Sequence, residues 1–117
     1  MSPIPPKKKV IEMHEKIPSL LASVQEHAAS WLASVAGRPI PAATSAEELR
    51  QALGGPLPQK GTDPETVTGI LARAGMEGAV ASTGPRYFGF VVGGNLPAAL
   101  AADWMVSAWD QNAGIYV

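Results

Sequence analysis

The stretch GPRYFGFVVGGNLPAALAADWMVSAWDQNAGIYV, residues 84–117, is the most apolar and aromatic third of this 117-residue chain. Its first part, RYFGFVV at 86–92, is aromatic and β-branched and predicts a strand or an extended segment. Gly93 and Gly94 then turn the chain, and Asn95 is placed to cap a helix that begins near Leu96 and Pro97 and runs to about Trp109. Along that helix Leu100, Trp104 and Ala108 form one stripe, and Ala98, Ala101, Ala102 and Met105 widen it almost all round. Asp103 and Asp110 are its only charges. A helix apolar on nearly every side is normally buried, and the rest of the chain offers little to bury it. The sequence also closes on Ile115, Tyr116 and Val117, where a self-contained domain ends in something polar or capped, so the expectation is a cut rather than a finish.

Upstream, apolar residues recur at helical steps. Leu20, Leu21, Val24, Ala28, Trp31, Leu32 and Val35 share one face, Pro18 suits a first turn and Gly37 a stop, which predicts a helix over about 18–36. After the Pro-rich GRPIPA, Thr44 or Ser45 caps a short helix to about Leu53, with Glu47 and Glu48 in its first turn. Asp63 followed by Pro64 and Glu65 starts another, expected to end near Ala74 before Gly75 and Gly78. Residues 1–16, with Pro3, Pro5, Pro6 and the Lys7–Lys9 run, read as an extended, disordered leader. The fold expectation is therefore mainly α: three to four helices plus a short extended segment, with 17–83 as a helical unit and 84–117 as a separate strand, turn and helix.

Composition narrows the function. Charged residues are 16% against 46% hydrophobic, below the usual charged share of a soluble domain, which implies a surface meant to be covered. A net charge of -1 and a pI near 6.1 exclude the basic field that nucleic-acid binding needs. Without cysteine there are no disulfides, thiolate nucleophiles or cysteine-held metals, as suits a cytoplasmic protein. No apolar run is long enough to span a bilayer or to serve as a secretory signal.

Catalytic candidates are few. His14 and His27 have no Asp or Ser partners that suggest a triad, and no metalloprotease, Walker or dinucleotide motif is present. Asp103 and Asp110 share a helix face but read as polar relief or a cap rather than an acid/base pair. The VVGGN turn into a helix has the makings of an anion site, although two glycines and an Asn are also what a tight strand-to-helix turn requires.

The order and spacing of several segments resemble a known family. RPIPA at 38–42, LRQALGGPLPQKGTDPETV at 49–67, then Pro85, Arg86, Phe88, Gly89 and Phe90, Pro97-Ala98 with the alanine-rich helix holding Asp103, and QNAG at 111–114 are similar to the N-terminal part of the pyridoxal-phosphate-dependent group II amino-acid decarboxylases. The resemblance runs from about Ile17 to Val117. It implies the N-terminal segment of an α/β fold-type I enzyme: a carboxy-lyase working on a small amino acid with pyridoxal phosphate as cofactor, active as a homodimer, with this segment wrapping over the second subunit.

Within that resemblance, Phe88, Phe90, Val91, Val92 and Gly93 match a stretch that lines the substrate pocket, and Asn112, Gly114 and Ile115 match a loop that reaches the partner's active site. Core packing is the competing reading for Phe88 and Phe90. Val92-Gly93 stands where relatives acting on aromatic substrates often have Pro-Thr, which leaves the substrate open. The family's Schiff-base lysine directly follows a histidine, and none of Lys7, Lys8, Lys9, Lys16 and Lys60 does. No catalytic, cofactor-binding or metal-binding residue is therefore expected in this segment, and it is expected to be inactive alone. A stand-alone helical interaction module that binds a full-length relative is the alternative, and a small anion-binding protein using the Gly93-Gly94 turn is a third.

Overall fold

The computed structural model describes residues 7–111 and 114. Five α-helices follow one another, α1 (Lys7–Glu15), α2 (Ile17–Ser34), α3 (Ala46–Leu53), α4 (Pro64–Gly78) and α5 (Pro97–Trp109), and there is no strand among the described residues. The mainly α expectation holds at that level.

Local chemistry explains most boundaries. Ser45 accepts from the Glu48 backbone N–H while the Glu48 carboxylate accepts from the Ser45 backbone, a reciprocal capping box that starts α3. The Asp63 carboxylate accepts from the backbone N–H groups of Glu65 and Thr66, and Pro64 supplies a first residue that has no N–H to orphan. Pro18 sits in the first turn of α2, which ends two residues before the expected stop and passes through Val35 to Gly37, whose N–H bonds Ser34.

Four expectations need correction. The leader is not an extended arm throughout, because Lys7–Glu15 is helical: the prolines lie ahead of it, and KKKVIEMHE contains neither Gly nor Pro. Helix α4 does not stop near Ala74 but runs on to Gly78, since Gly75 lies in open space and Met76 and Glu77 are good helix formers. Asn95 is not the cap of α5; Leu96 holds that position without a side-chain bond, so the start of α5 depends on Pro97. RYFGFVV forms no strand. It closes instead into a turn in which Val92 N–H bonds Gly89 C=O, with Phe90 at φ 56° and Val91 at φ 55°.

Packing is centred on α4, which lies against both α2 and α3, while α1 touches α2. Small residues make the approach close: a Cβ on Gly78 would come 2.7 Å from the Leu49 methyl carbons of α3. The half-buried face of α2, Leu20, Val24, Ala28, Trp31 and Val35, follows the expected stripe, but Leu21 and Leu32 stay exposed. Beyond α4 the chain is tied to the connector after α2. Ala43 N–H bonds Glu77 C=O, and Ala81 N–H bonds Ile40 C=O. Arg38 donates to Met76 C=O and to Ser34 Oγ, its guanidinium lies 4.6 Å from the Trp31 ring centre, and Arg86 donates to Arg38 C=O. Only Ala74 and Ala81 are buried among the described residues. Among the described residues no large side chain is enclosed, so what core they form lies at this junction.

Candidate functional site

The five described members of the expected substrate-lining run do not enclose a cavity. Phe88 and Phe90 are 94% and 92% exposed, Val91 is fully exposed, and nothing lies within 4 Å of where a Gly93 side chain would start. The cause is the turn at Gly89–Val92. Two consecutive left-handed residues fit Asn-Gly, not Phe-Val, and each costs about 1–2 kcal/mol in an L-residue. Neither side chain gains a covering contact in return. Gly114 lies in an exposed bend, while Asn112 and Ile115 are outside the described residues.

What the fold does create is an apolar slot of about 800 Å³ between the second half of α2 and the first half of α5. Trp31, Leu32 and Val35 form one wall, Leu100, Ala101 and Trp104 the other, and Thr83 with Gly94 lies at one end. Gly94 is held close there, since a Cβ on it would meet Thr83 C=O at 3.4 Å. Gln25, Thr83 and Asn95 are its uncharged polar members, and no Lys, Arg, Asp, Glu or His lines it. No Cα atom of α5 comes within 8 Å of one in another helix. Directly packed helices, about 8–10 Å apart axis to axis, bring Cα atoms closer than that, so α5 does not pack directly on another helix.

A smaller groove of about 310 Å³ lies between α2 and α4, with His27 at its edge beside Trp31, Thr68 and Leu71. Among the described residues no group of His, Asp and Glu is placed to hold a metal ion. The strongest electrostatic feature lies away from both grooves. The Glu48 carboxyl is lowered from 4.5 to about 2, first by the Ser45 backbone N–H and then by the Ser45 and Thr44 hydroxyls. This is a helix cap, not a catalytic acid.

Pyridoxal phosphate does not fit the described residues. Its carrier would be a lysine in a groove, but Lys16 pairs with Asp63 at 3.9 Å on the surface, Lys60 is exposed on a loop, and neither groove contains a lysine. The arrangement offers apolar surface rather than reacting groups. Sequence reasoning missed the slot because its walls lie more than 60 positions apart in the chain, although the all-round apolar character of α5 was its visible half. No family model, curated protein or solved structure matches this chain. Among the described residues no helix is long and apolar enough to cross a membrane.

Proposed function

We propose that this chain is the N-terminal segment of a pyridoxal-phosphate-dependent amino-acid decarboxylase, contributing dimer contacts and substrate-pocket lining and carrying out no chemistry by itself. The observation that carries this reading is the uncovered apolar surface of 84–109: Phe88, Phe90 and Val91 stand in solvent, and Val106 and Trp109 are about three-fifths exposed. Residues that line a pocket in a larger assembly are left in this state when the other walls are missing. The sequence resemblance supplies the enzyme class, and neither groove is lined by a lysine that could carry the cofactor.

In the complete enzyme the cofactor would act as electron sink for decarboxylation. This chain's share is to shape the apolar side of the pocket, exclude water and hold the subunits together. The test is the coding DNA downstream of Val117. An in-frame α/β region with a histidine-lysine pair is the expected result; a stop codon with no such region in any frame overturns the reading. In that event the stand-off of α5 favours the interaction-module reading, in which the same surface binds a full-length relative.

A further inference from the structure

The slot between α2 and α5 has the volume and the lining of a small-molecule site. At about 800 Å³ it falls within the roughly 300–1,000 Å³ that such sites occupy. The groove between α2 and α4, at about 310 Å³, stands at the lower edge of that range. The part of α2 that lines the slot, Gln25 to Val35, covers about 15 Å of helix, and the part of α5, Pro97 to Trp104, covers about 10 Å. Walls of that length suit a chain-like molecule better than a single ring.

The lining also sets the chemistry of a ligand. A Cβ on Gly94 would meet Thr83 C=O at 3.4 Å, and one on Gly84, the residue after Thr83, would meet Val35 C=O at 3.1 Å. Thr83 and Asn95 therefore gather where the lining part of α2 ends and that of α5 begins, and Trp104 lies farther along α5. The hydroxyl and the carboxamide can hydrogen-bond a polar head at that end. Because no acid or base lines the slot, a charged head there would face apolar walls without a counter-ion, which costs far more than placing a neutral one.

We propose that the slot binds an uncharged, chain-like apolar molecule with one neutral hydrogen-bonding head, of the class of a medium-chain alcohol. Its chain lies between Trp31 and Leu32 on one side and Leu100 and Trp104 on the other, with its head beside Thr83 and Asn95. Leu32 and Trp104 are 48% and 36% exposed, so the walls hold apolar surface that such a chain removes from water. An amino acid, a zwitterion, would leave both of its charges unpaired in this lining. The inference stands on the slot and not on the decarboxylase reading.

Calorimetric titration of the chain with 1-decanol, decanoate and decylammonium, three heads on one aliphatic chain, tests it. Decanol should bind once per chain, at least about tenfold more tightly than either ion and with a negative heat-capacity change. Equal affinity for the three heads, or many molecules bound per chain, means adsorption to exposed apolar surface and overturns the proposal. Ala29→Trp and Ala101→Trp, which narrow the slot from the α2 and the α5 wall, should each weaken decanol by about tenfold or more at unchanged helical circular dichroism. If a tryptophan variant loses helix, the head-group series decides alone. Phe88→Ser with Phe90→Ser, outside the slot, should change nothing, and loss of binding there places the ligand on the turn and overturns the proposal. So does an affinity that falls as the protein is concentrated, because a second copy then occupies the slot. None of these outcomes bears on what the downstream DNA encodes.

Discussion

At the scale of single residues, the most stable features are the ones a few neighbouring side chains settle. Glu48 shows this through pH. Its carboxyl is lower in the folded chain, about 2, than its ordinary 4.5, so its support of α3 is complete above about pH 4.5 and is lost as pH falls toward 2. A carboxyl-detected NMR titration should show Glu48 titrating far below its ordinary 4.5, with α3 amide shifts following it. Asp63→Ala removes the acceptor for two N–H groups at the start of α4 and should cost about 1 kcal/mol in thermal unfolding. Arg38→Lys keeps the charge but loses the flat group that covers Trp31 and the fork that reaches Met76 C=O and Ser34 Oγ. It should destabilise the junction of α2 and α4 by about 1 kcal/mol, read as earlier loss of amide protection at Ala43 and Ala81. At the turn the direction reverses: Phe90→Asn with Val91→Gly should stabilise the chain by about 1–2 kcal/mol, because φ near 55° then suits the residues that hold it.

Among the elements, legibility follows the range of the forces involved. The starts of α3 and α4 could be read because Ser45 with Glu48, and Asp63 with Pro64, complete their bonding within four residues. The helical period of α2 was equally plain from its stripe. Helix α1 was hidden by prolines that sit beside it rather than in it, and the far end of α4 by a glycine that meets no constraint. The RYFGFVV run was misread for a different reason. Its aromatic and β-branched side chains favour extension when a neighbouring strand and a covering layer reward it, and neither is present among the described residues. The slot needed the folded positions of α2 and α5 together, so only the composition of α5 announced it.

For the whole molecule, the radius of gyration is 17.7 Å, where a compact chain of this length has about 13 Å. Burial is limited to two alanines among the described residues, so cooperative unfolding has little to act on. In urea, a monomer dilute enough to be free of partners should give a slope below about 1 kcal/mol/M and bind an apolar dye, and a steep single transition would contradict the open structure. Most of the free energy that fixes this fold is therefore expected from surfaces that meet α5 and the 88–92 turn. The placement of the tryptophans has a practical corollary. Trp31 is sheltered beneath a guanidinium, Trp104 stands 36% exposed on the opposite wall and Trp109 points largely to water, so the chain holds its own optical gauge. When an apolar partner fills the gap between the walls, Trp104 emission should move to the blue and resist iodide, so occupancy of the slot can be followed without attaching a label.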